Sequence, residues 1–142
     1  MTIPPLKPTT SAAKDSTVAS SGLAQQTTCL TVDFLAPESR AEIEYHAKTD
    51  APKEACGLIY VNDKGHQYYM PCSNICDEPE KHFMLNPVDY YKATLKGLIV
   101  AVVHSHPNGE TASELDRKAC RQSKLPWVIY KVPQAEWLII NP

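Results

Sequence analysis

The chain has 142 residues, 43% of them hydrophobic and 21% charged, with a formal net charge of −2. That size suits one domain of about 100 residues plus a tail, large enough to bury a core without staples. The near-neutral balance, with no basic stripe interleaved with aromatics, speaks against nucleic-acid or anionic-lipid partners.

The first segment, 1–30, is rich in Ser, Thr, Ala and Pro without apolar periodicity, so a disordered tail is expected there, with the folded domain over 31–142. The same segment lacks the apolar stretch of a secretory signal, and no run approaches the roughly 20 apolar residues that span a bilayer. A reducing, cytoplasmic setting with no membrane partner is therefore expected. Cys29, Cys56, Cys72, Cys76 and Cys120 then read as free thiols, an odd set without framework spacing.

"LTVDFL" reads as a short extended piece. "PESRAEIEYHAKTD" reads as a helix with Pro37 in the first turn and Ile43 and Ala47 on one face. "CGLIYVN" and "HQYYMPC" flank "DKG", a hairpin signal. "HFML" suggests another strand. "NPVDYYKATLKG" is expected to be a helix opened by Asn86 or Pro87, with Val88, Tyr91 and Leu95 along one face and Gly97 as its stop.

"LIVAVVHSH" is a β-branched apolar run, as in a strand covered on both faces. "PNGE" is a loop, "SELDRKACRQS" a helix with Ser113 as N-cap, and "WVIYKV" and "EWLII" two closing strands. This order of elements predicts an α/β (α+β) fold, a mixed sheet with helices packed on it.

The buried run ends in His104-Ser105-His106. Side chains at i and i+2 of a strand share a face, so the two imidazoles point one way with their Cα atoms about 7 Å apart. Pro107 removes a ladder donor and ends the strand, leaving the pair at an open sheet end. Asp116, one turn into the next helix, is in reach as a third ligand. Two His and one carboxylate with an open fourth position is a recurrent hydrolytic zinc arrangement. A lone strand-end His is more often a half-solvated polar residue, and Ser113-x-x-Asp116 is also a capping pair that needs no metal. Neither pattern identifies a site alone; their succession after a buried strand points to one.

"HSHP" followed by S-x-x-D, with the acid of "PKEACGLI" upstream, resembles the JAMM/MPN metallopeptidase family. "EACGLI", "YMPCSN", "PEKHFMLNPVDYY", "VAVVHSHP", "SELDRKAC" and "SKLPWVI", over roughly 51–132, are most similar to its lambda-type phage tail-assembly branch. The resemblance implies the layered MPN/JAB (cytidine-deaminase-like) fold and one Zn2+ ion held by His104, His106 and Asp116. It implies Glu54 as the acid–base residue taking a proton from the metal-bound water, and Ser113 as donor to the oxyanion. It also implies hydrolysis of a peptide or isopeptide bond in a protein substrate, such as a ubiquitin-like tail protein, in the host cytoplasm. Relatives in this branch carry a following cysteine peptidase domain, which is not expected here because the chain stops after "EWLIINP". The loop "PNGETA" between His106 and Ser113 is one residue shorter than the family's usual spacing, so the third ligand is the position most exposed to displacement.

Two other functions fit parts of the pattern. One is a non-catalytic scaffold module for tail-assembly partners. The other is a RadC-like, DNA-repair-associated protein, permitted by "HSHPNG" but disfavoured by "EACGLI" and "SKLPWVI". Cys72, Cys76 and His82 offer only a loose second set without a fourth ligand. Cys56, at the start of an apolar strand, reads as buried and inert, and Cys120 as core-facing.

Overall fold

The computed structural model describes residues 30–142, so the tail expected at the N-terminus lies outside the described residues. A 3₁₀ turn, Val32–Phe34, leads into α1 (Pro37–Asp50), β1 (Cys56–Val61), β2 (Gln67–Cys72), α2 (Pro87–Lys96), β3 (Leu98–His106), α3 (Glu114–Ser123), β4 (Trp127–Lys131) and β5 (Glu136–Ile140). The strands form one sheet in the order β2-β1-β3-β4-β5, parallel only between β3 and β4 and antiparallel elsewhere. None of the described helices is long and apolar enough to cross a membrane.

Apolar side chains alternate across this sheet into two cores. On one face Ile59, Tyr69, Ala101, Val103, Val128 and Tyr130 pack under Ile43 and Ala47 of α1. On the other, Leu58, Val102, Trp127 and Ile129 meet Tyr90 and Ala93 of α2 and Ala119 and Cys120 of α3. The mixed α+β sandwich expected from the order of elements is therefore present, with β3 at its centre. Gly57 is required where β1 passes beneath Tyr69: a Cβ there would lie 2.5 Å from the Met70 carbonyl oxygen and from the Tyr69 ring.

Three local expectations are corrected. "LTVDFL" is not extended; the Phe34 and Leu35 amides close i→i+3 turns onto Thr31 and Val32, dropping Leu35 into the α1 core. "HFML" is not a strand. Phe83 and Leu85 are buried, but the only ladder contact is one bridge between Leu85 and Asn74, because the Met84 amide is taken by the Asn74 side chain.

Val88, Tyr91 and Leu95 do share a face of α2, but that face is turned to solvent, each residue more than half exposed. The helix docks instead through Tyr90 and the small Ala93, which brings its backbone close to the sheet. Its start is set by Asn86, whose Oδ1 accepts the Val88 amide at 2.8 Å.

Candidate metal centre

The parallel β3–α3–β4 unit places the end of a strand and the start of a helix at the same edge of the sheet, where α/β folds bind ligands. His104 and His106 are the last face-sharing pair of β3 and project toward α3; Ser105 turns the other way. The following loop turns sharply at Gly109, whose φ of +81° favours glycine. The Gln134 side chain holds that turn by donating to the Gly109 carbonyl at 2.9 Å.

The turn brings the Glu110 carbonyl to 2.6 Å from His106 Nδ1. A carbonyl only accepts, so Nδ1 carries a proton, and it is Nε2 that offers a lone pair to a metal whenever the ring is neutral. Helix α3 then opens with a full capping box: Ser113 Oγ accepts the Asp116 amide at 3.0 Å, and the Ser113 amide donates to Asp116 Oδ2 at 3.1 Å. The cap fixes the Asp116 carboxylate toward the strand end. The short loop does not displace it.

His104 Nε2 and His106 Nε2 lie 3.2 Å apart, with Asp116 Oδ1 3.4 Å from the first and Oδ2 3.3 Å from the second. All three residues are buried, and His104 Nδ1 has no hydrogen-bond partner. Two ligands on a tetrahedral ion with bonds of about 2.0–2.1 Å sit roughly 3.3 Å from one another, which is the spacing of these donors. Nitrogen and carboxylate donors together suit a zinc-like ion better than calcium or magnesium. The residues fit a metal; among the described residues, they are the group that could hold one. Phe83 backs the site, stacking on His104 at 4.5 Å between ring centres, while Trp127 meets the same ring edge-on at 5.5 Å.

Electrostatics divide the donors. Burial pushes Asp116 up, but hydrogen bonds to both imidazoles and to the Ser113 amide outweigh it and hold the carboxyl well below the usual range. Burial lowers His104. For His106, burial opposes but Asp116 and the Glu110 carbonyl prevail, and it is raised.

Glu54 lies just before β1, 7% exposed. Burial pushes its carboxyl from 4.5 to about 8, against the pull of His106 and with the push of Asp116 and Glu110. Ser113 is exposed at the mouth of α3. Glu54 is not among the three residues whose ligand atoms gather. A nearby dication would favour its ionised form.

A pH dependence follows for the metal-free protein. With the folded pKa of Glu54 above the unfolded one, the folded state holds the extra proton between 4.5 and about 8. Stability from this group is therefore full below that window and falls as pH rises through it. Relative to Glu54→Gln, metal-free wild type should lose on the order of 2–4 kcal/mol between about pH 5 and 8 in denaturant unfolding. Parallel curves for the two proteins would mean that the Glu54 carboxyl is not buried in the folded state.

Ser105 is a residue that sequence reasoning passed over. It is buried, its Oγ accepts the Ala55 amide at 2.8 Å, and its own amide donates to the Ala55 carbonyl at 2.9 Å. The middle residue of the H-x-H thus ties the segment carrying Glu54 to the strand carrying the histidines; its place opposite both ligands was the available signal.

Cys72, Cys76 and His82 do not gather into a second site. The Cys72 thiol donates to the Met70 carbonyl and burial pushes it up to about 12. Burial also pushes Cys56 far up, leaving no ready thiolate, and Cys120 is buried in the α3 core.

The family model for prokaryotic homologs of the JAB domain matches residues 37–140, which takes in every element from α1 to β5. The chain belongs to that family. Within it, this JAMM/MPN-type domain is similar to the tail tip assembly protein K of Escherichia phage N15, at 41% identity over 98 residues. That match covers 68% of this chain and 40% of the N15 protein. The tail tip assembly protein K of Escherichia phage lambda is 50% identical over 44 residues, 30% of this chain and 22% of that one. The chain thus spans less than half the length of these curated relatives. The solution structure of protein DSY2949 from Desulfitobacterium hafniense shares the fold, with a TM-score of 0.57 and 24% identity over 73% of this chain and 78% of that one.

Proposed function

We propose that this JAB domain is a zinc-dependent metallopeptidase that hydrolyses a peptide or isopeptide bond in a protein of phage or prophage tail assembly. The observation that carries the reading is the convergence of two imidazole nitrogens and one carboxylate, buried and spaced at 3.2–3.4 Å, at the end of the central strand. The substrate class rests on the relatives' names, both tail tip assembly proteins. A ubiquitin-like tail protein in the host cytoplasm is the substrate to try first.

His104, His106 and Asp116 would hold the ion, which supplies Lewis acidity and brings the pKa of water toward about 7. Glu54, buried just before β1, accepts a proton from the attacking water and passes it to the leaving amine. Ser113 Oγ is pinned by the Asp116 amide and leaves its hydroxyl proton free to donate to the oxygen that gains charge in the tetrahedral transition state. No covalent attachment to the chain is needed, consistent with the buried Cys56 and Cys72 thiols, which burial pushes up.

The test is incubation of the zinc-loaded chain with candidate tail proteins, with mass spectrometry of the products. Cleavage that a chelator stops and zinc restores is the expected outcome. Binding of a tail protein by metal-free chain without cleavage would instead assign a scaffold role.

A further inference from the structure

The acid–base role of Glu54 in the reading above, on which this inference rests, requires its carboxyl to stay at a fixed place. Yet Glu54 belongs to neither α1 nor β1, and nothing regular in the backbone fixes it. Three ties do. One is the pair of bonds between Ala55 and Ser105, and a second is the Glu54 amide itself, bonded to the Pro79 carbonyl. The third is Asn74, two residues past the end of β2.

Asn74 Nδ2 donates to the Glu54 carbonyl at 2.9 Å and to the His82 carbonyl at 3.1 Å, with the Pro79 carbonyl at 3.5 Å. Its Oδ1 accepts the amides of Cys76 and Met84, each at 3.0 Å. With N–H groups on one side and carbonyls on the other, the orientation of the side-chain amide is fixed by its neighbours. The Glu54 amide completes the link by donating to the Pro79 carbonyl at 2.8 Å.

The loop gathered this way is the one that carries Phe83, stacked on His104. One planar group therefore joins the backbone of the acid, both ends of the 75–84 loop and, through Phe83, the packing of a metal ligand. Aspartate lacks the donor and serine lacks the span, so the position calls for asparagine.

We propose that Asn74 is a positioning residue for Glu54, its side-chain amide locking the Glu54 carbonyl and the 75–84 loop into one unit that fixes where the buried carboxyl sits at the entry to β1. Burial is the main influence on the Glu54 carboxyl, and among the described residues the charges that reach it are those of His106, Asp116 and Glu110. Neutral replacements at 74 add no charge, so a change in Glu54 titration reports a change in the burial of its carboxyl.

The experiment uses full-length chain with ¹³C-labelled glutamate carboxyls, the Glu54 signal assigned by its loss in Glu54→Gln. Asn74→Ala and Asn74→Ser are titrated metal-free beside wild type, with amide exchange at Cys76 and Met84 and zinc content measured on the same samples. The expected result is a Glu54 midpoint lowered by about one pH unit or more as the carboxyl reaches water, with zinc bound as in wild type. An unmoved midpoint with faster exchange at Cys76 and Met84 would show that Asn74 serves the loop alone and overturn the proposal. Loss of the fold in both variants would overturn it too, by assigning Asn74 to stability. Because the titration is read without metal, wild type that binds no zinc would count against the metallopeptidase reading and leave this one standing.

Discussion

Zinc-loaded Glu54→Gln is expected to bind its ion as wild type does and to hydrolyse substrate about 10²–10⁴-fold more slowly, the usual contribution of a positioned acid–base group. The separation of the two effects is the informative part. Glu54 is not among the residues whose ligand atoms gather, so its loss removes no donor. Gln keeps the volume and the polarity of the side chain at a site only 7% exposed, so packing is conserved while the proton carrier is lost. Rates and zinc content measured on one preparation decide it. A variant that keeps near-wild-type turnover would remove Glu54 from the chemistry; one that loses its zinc would make Glu54 a ligand.

His104→Ala and Asp116→Ala are expected to abolish stoichiometric zinc, read by metal analysis after dialysis. Each replacement deletes a donor from a three-residue set, so affinity should drop by more than the roughly 10–100-fold that loss of an outer-shell partner costs. The Asp116 variant carries a second consequence, because its carboxylate also accepts the Ser113 amide in the capping box. Losing that half of the cap costs about 1 kcal/mol of helix stability. His104→Ala keeps the cap but removes a buried ring packed on Phe83 and Trp127, so zinc content, not the unfolding curve, reports the loss of metal in that variant. Normal zinc in Asp116→Ala would mean that another group completes the site.

Much of this arrangement was legible in the sequence because it rests on local periodicity. The strand rule alone puts His104 and His106 on one face, and the Ser113–Asp116 spacing announces both a cap and the direction of the acid. Local rules cannot show which side of a helix the rest of the chain will cover. On α2 the stripe of larger apolar residues faces solvent, while Tyr90 and the small Ala93 dock. Nor could they show that Asn74 would capture the amide of Met84 and keep "HFML" out of a ladder. The effect of the short loop was equally hidden, since it depends on Gly109 turning the Glu110 carbonyl onto His106.

The most direct test of the metal centre is a crystal structure of zinc-loaded protein with anomalous scattering recorded at the zinc edge. One strong peak is predicted, about 2.0–2.2 Å from His104 Nε2, His106 Nε2 and an Asp116 carboxylate oxygen. A peak at any other place, or a zinc held by the histidines with Asp116 turned away, would contradict the account.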